Sequence, residues 1–79
     1  MKHARDDYNR IQDPAGKIPD NEPVFLIRGQ DLAGPDTLRE WCRLAHKNGA
    51  QNDIINRVLD QANAMEKWQR EVARKTPDL

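Results

Sequence analysis

Cysteine is almost missing from this chain: Cys42 stands alone, so neither an internal disulfide nor a cysteine-based zinc site can form. A single thiol suits a reducing cytoplasm. Strongly apolar residues are scarce as well. Leu, Ile, Val and Phe together number 15 of 79, about 19%, a fraction that with high net charge would mark disorder. The second half of that signature is absent, because 13 basic residues balance 13 acidic ones. Zero net charge also removes the usual electrostatic footprint of a duplex-binding protein. The longest strongly apolar run is Val24-Phe25-Leu26-Ile27, far short of the ~20 residues that span a bilayer. The first residues, Met1 to Asp7, turn from basic to acidic where a secretory signal needs an apolar stretch. The expectation is one small, soluble, cytoplasmic domain with a thin core. Below about 70–80 residues a single core seldom supplies more than ~3–5 kcal/mol. With disulfides excluded, oligomerisation is the remaining staple.

What is present divides near Gly34. The first part, residues 1–34, carries Pro14, Pro19, Pro23, Gly16, Gly29 and Gly34, punctuation that forbids a long helix. Asp13-Pro14-Ala15-Gly16 has the chemistry of a type I turn. Val24 to Arg28, β-branched and aromatic and closed by Gly29, is the best strand candidate. Its partner stays open: Tyr8–Gln12 in a short β-hairpin, a symmetry mate, or none, leaving the segment merely extended.

The second part predicts two antiparallel helices. Pro35 suits the start of the first, over 35–49, and Asp36 favours its positive end. Leu38, Trp41, Cys42 and Ala45 form one apolar face, flanked by Leu44, while Arg39, Glu40, Arg43 and Lys47 face water. Asn48-Gly49 ends it. Asn52 caps the second helix, which can run over 52–75 before Thr76-Pro77 stops it. Its stripe is Ile55, Val58, Ala62, Met65, Gln69 and Val72, with Ile54, Leu59 and Trp68 on the shoulders. At 1.5 Å per residue the helices would measure ~21 and ~36 Å. The overhang carries Met65, Trp68 and Val72, which the N-terminal segment, another subunit, or both must cover. These three are the expected oligomer interface. The fold expected is mainly α: an extended, turn-rich arm followed by a helical hairpin, in a homo-oligomer that is at least a dimer.

Cys42 and His46, four residues apart on one helix face, have the spacing of two metal ligands or of a nucleophile with its base. Neither chemistry is completed by a second ligand pair or an orienting acid. Cys42 reads as a small core residue, and His46 as a cation suited to the helix end. No metal, cofactor or catalytic residue is expected, and the chain reads as a non-enzyme. The Gly29–Gly34 loop matches neither a P-loop nor a dinucleotide fingerprint and reads as a helix entry. Trp41 and Trp68 read as core or interface residues. The arm offers more: Arg5, Tyr8, Arg10, Lys17 and Arg28, with Asn9 and Gln30, combine cations, an aromatic face and amides within a short stretch. A nucleotide-like ligand needs that set, charge for its phosphate and a face for its base. The alternative is a solvated segment whose arginines pair with Asp6, Asp7, Asp13 and Asp20.

Over Tyr8-Asn9-Arg10-Ile11-Gln12-Asp13-Pro14-Ala15-Gly16-Lys17-Ile18-Pro19, then Glu22 to Arg28 and Asp31, the sequence resembles small phage and prophage proteins to which no activity is attached. The Trp-bearing helix of Leu38-Arg39-Glu40-Trp41 and a longer helix follow in that pattern. The resemblance implies a bacterial host cell as the setting, and a counter-defence or host-takeover role. By analogy with the small oligomeric sponges of such systems, the expected function is to bind, without catalysis, a nucleotide immune signal. The competing expectation is a protein-binding inhibitor or adaptor acting on a host protein.

Overall fold

A computed structural model describes residues 1–8 and 13–78. The protein is mainly α. Strand β1 (Lys2–His3) leads into a 3-10 turn over Asp6–Tyr8, strand β2 (Pro23–Val24) follows, and helices α1 (Gly34–Lys47) and α2 (Asn52–Glu71) complete the order.

The two helices form the expected hairpin, and its apolar stripes meet where the 3.6-residue period puts them. Cys42 from α1 and Ala62 and Met65 from α2 are buried between them, with Pro35 buried at the start of α1. The Cys42 thiol points at the Ile55 carbonyl, 3.7 Å away, as a weak donor inside the seam. Gly49 closes the first helix at φ 86°, a left-handed conformation that glycine adopts at little cost. Neither helix has a side-chain cap at its start. Ala33 occupies that position in α1 and Gln51 in α2, so Asn52 is the first helical residue rather than the cap.

Arg39 departs from the solvent-facing role its periodicity predicts. Its guanidinium reaches across to α2, donating to Glu66 at 2.6 Å and Asn63 at 3.1 Å, and to Asp36 at 3.1 Å on its own helix. Glu66 holds its carboxyl below the usual carboxylate range chiefly through this hydrogen bond. The hairpin is thus pinned by charge on one flank and by apolar contact in the seam.

The second helix stops four residues short of the expected Lys75. Val72 leaves helical geometry, and Lys75 then runs beside Asp31: its amide donates to the Gln30 carbonyl at 2.7 Å, and its carbonyl accepts from Leu32 at 3.1 Å. Gln69 explains its own place in an otherwise apolar stripe. Its side-chain amide donates to the carbonyls of Gly29 (3.0 Å) and Asp31 (2.7 Å), fastening the 29–31 loop onto α2. With 20 residues in α2 and 14 in α1, the helices measure ~30 and ~21 Å, so the overhang is about 9 Å where the sequence predicts about 15 Å. Of the apolar residues on the overhang the arm covers Met65 alone. A Cβ placed on Gly34 would lie 3.4 Å from the Met65 sulfur and 3.2 Å from the Ile27 side chain, so this glycine lets the arm close down on α2. Of the three residues expected at an oligomer interface, Met65 is already buried within its own chain, whereas Trp68 and Val72 stay exposed.

The arm itself is held at two places. The turn at Asp13 forms as expected: Gly16, at φ 62°, donates to the Asp13 carbonyl at 2.9 Å, and the Asp13 carboxylate accepts from the Ile18 amide at 2.7 Å. Of the strand candidate Val24 to Arg28 only Val24 is in a strand, joined there by Pro23. β2 pairs in parallel with β1, Lys2 opposite Pro23 and His3 opposite Val24, so the pair is not a hairpin. Lys2 donates to the Glu22 carbonyl at 2.8 Å. Pairing with Tyr8–Gln12 involves residues 9–12, which lie outside the described residues.

Candidate functional site

The strand pairing and the returning tail bring three separate stretches of sequence to one place. His3, Arg5 and Tyr8 come from the first, Phe25, Arg28 and Gln30 from the second, and Lys75 to Asp78 from the third; together they line a cleft of about 40 Å³. Arg5 lies over the Tyr8 ring, its guanidinium carbon 5.2 Å from the centroid, while His3 meets the same ring edge-on at 6.3 Å. A cation above an aromatic face is held in orientation as well as stabilised.

The charges in the cleft are partly compensated. Arg5 pairs with Asp7 at 2.8 Å, and Lys75 pairs with Asp78 at 2.8 Å. The Asp78 carboxyl is held below its ordinary range, first by the hydrogen bond from Lys75 and its charge, then by the charges of Arg5 and Arg28, with burial opposing. Asp31 spends one carboxylate oxygen on the Ala33 amide at 2.8 Å. Three cations, Arg5, Arg28 and Lys75, face two carboxylates, Asp31 and Asp78, across the cleft. The tail carboxylate therefore sits where an external anion would be drawn.

Of the five arm residues singled out in the sequence, Arg5, Tyr8 and Arg28 converge here. Lys17 does not: it is exposed next to the Asp13–Gly16 turn and lines no part of the cleft. Arg10 lies outside the described residues. Lys75 and Phe25 are additions that sequence reasoning missed. Phe25 belongs to the strand candidate, yet it is 64% exposed at the cleft. Only a strand ending at Val24 could have revealed this, and a run of four apolar residues gives no sign of such an end.

A second feature lies on the helices. Ile27, Leu38, Trp41, Ile54 and Val58, with Arg57 and Gln61 among the polar residues, line an open groove of about 650 Å³. A separate depression that shares Gln61 is lined by Arg28, Gln30, Met65 and Trp68. His46 is exposed near the end of α1 while Cys42 is buried, and no group of three metal-ligating side chains occurs among the described residues. No helix among them is long and apolar enough to cross a membrane. Comparison with known proteins returns no match: no family model, no curated protein and no solved structure aligns with the chain.

Proposed function

We propose that this protein is a non-catalytic binder of a small anionic ligand, taken by one phosphate-sized group in the cleft between the arm and the tail. The observation that carries the reading is the convergence of Arg5, Tyr8 and Arg28, distant in sequence, with Lys75 and the exposed Phe25. Size sets a limit on the ligand. A cleft of about 40 Å³ takes a single oxyanion, whereas sites that enclose a whole drug-sized molecule run to ~300–1,000 Å³. A nucleotide would therefore enter by its phosphate alone and lay its base outside, against Phe25. Stacking of a base on an aromatic side chain contributes about 1–3 kcal/mol. In the phage setting that the sequence resembles, such a protein would sequester a nucleotide immune signal in the host cell. The protein-binding inhibitor or adaptor remains the second reading, favoured by the apolar groove beside Trp41.

Calorimetry with AMP, inorganic pyrophosphate and adenosine tests the first reading. The two phosphate compounds should bind and adenosine should give no heat. Arg28→Ala should weaken AMP by roughly thirtyfold or more, the loss typical of a desolvated charge pair. Arg57→Ala, on the far groove, should leave binding unchanged. No heat from any phosphate compound would abandon the cleft in favour of the protein-binding reading.

A further inference from the structure

Arg28 and Gln30 serve two recesses at once. Both line the anion cleft, and both line the depression that Ala64, Met65 and Trp68 of α2 also line. The two recesses differ in size and in charge. The cleft takes one oxyanion, whereas the depression, at about 330 Å³, reaches the ~300–1,000 Å³ range of small-molecule sites. The cleft mixes cations with Asp31 and Asp78, while Arg28 is the one charged side chain among the described residues lining the depression. The rest of that lining is glycine, apolar or amide, and Trp68, 42% exposed, has ring surface free for contact.

We propose that this site takes two nucleosides joined through a single phosphate, one base lying on Phe25 and the second carried across Arg28 onto Trp68. The inference rests on the anion-binding reading of the cleft and names its ligand class. With Arg28 already committed to the cleft, the depression has no further cation to hold a second phosphate. An aromatic face beside the side-chain amides of Gln30 and Gln61 suits instead a flat, neutral ring with a hydrogen-bonding edge. Arg28, common to both recesses, is placed to meet the phosphate between the two bases. The charge agrees. A phosphate diester carries one negative charge, and the cleft's three cations, Arg5, Arg28 and Lys75, exceed its two carboxylates by one.

Calorimetry on the full chain compares the dinucleoside monophosphate ApA with the methyl diester of AMP, which carries the same charge and one base. ApA should bind about tenfold more tightly, the gain expected from one further stacked base. Trp68→Ala should remove that advantage and leave the methyl diester unchanged, and Trp68→Leu serves if the alanine variant does not fold. In a Trp41→Phe chain Trp68 is the one tryptophan left, and ApA should quench its fluorescence where the methyl diester does not. Equal affinities, or a preference for ApA that survives loss of the Trp68 ring, would overturn the inference and, with AMP still bound, leave the cleft reading standing. If AMP itself gives no heat, the cleft reading fails and the inference falls with it.

Discussion

Met65→Ala is the sharpest test of how this fold is held. Met65 is 9% exposed, and its thioether fills the space between α2, the Gly29 loop and the start of α1 at Gly34. Replacing a buried Leu, Ile or Met by Ala costs about 2–5 kcal/mol, through lost transfer energy and the cavity left behind. The neighbours cannot fully collapse into that space, because Gln69 fixes the loop above it through two carbonyls. At ~0.05–0.15 kcal/mol per residue the whole chain is stable by about 4–12 kcal/mol, so this one side chain carries a large share. For a domain of this size about 1 kcal/mol shifts Tm by ~4–8 °C, so a loss of roughly 8 °C or more is expected. Thermal denaturation by circular dichroism reads it, with Lys67→Ala, exposed on α2, as the control costing under about 1 kcal/mol. A Tm within 2 °C of the parent's, a change on the order of 0.5 kcal/mol or less, would refute the claim that the arm and the hairpin share one core at Met65.

Gln69→Met removes the donor to the Gly29 and Asp31 carbonyls and should cost about 1–3 kcal/mol, with faster amide exchange at Lys75 and Leu32. The Arg39–Glu66 contact predicts a pH dependence. Because the folded protein depresses Glu66 below its unfolded value, the stabilisation is full above the ordinary carboxylate range and fades as pH falls through the depressed value; Glu66→Gln should flatten that acid limb of a Tm-against-pH curve. Phe25→Ala should weaken AMP by roughly tenfold and leave pyrophosphate unchanged in calorimetry, since only the base stacks. Asp78→Asn should tighten both ligands, because it withdraws the carboxylate that occupies Lys75 and draws on the charges of Arg5 and Arg28.

The helical hairpin was legible because Leu38, Trp41, Cys42 and Ala45 on one side, and Ile55, Val58, Ala62 and Met65 on the other, repeat at the period of a helix. The Asp13 turn was legible for a local reason as well, the demand for glycine at a left-handed position. What escaped was long-range. Ala73 and Arg74 are good helix formers, yet the backbone bonds from Lys75 to Gln30 and Leu32 outweigh propensity and turn the tail back. A two-residue parallel pairing of Lys2–His3 with Pro23–Val24 has no periodic signature at all. Arg39 sits on the polar face by count, but its long side chain finds Glu66 27 residues away. The cleft inherits this mixture. Arg5, Tyr8 and Arg28 were visible by chemical type, whereas Lys75 and Phe25 join them only through the tail's return and the early end of β2.

Amide chemical-shift mapping during titration with AMP tests the cleft most directly, since it locates the ligand without assuming which side chain matters. The account predicts that shifts concentrate at His3, Arg5, Tyr8, Phe25, Gln30 and Lys75, and that Ile54, Arg57 and Val58 in the groove stay still. Saturating shifts confined to the groove, or none at any amide up to millimolar AMP, would contradict it.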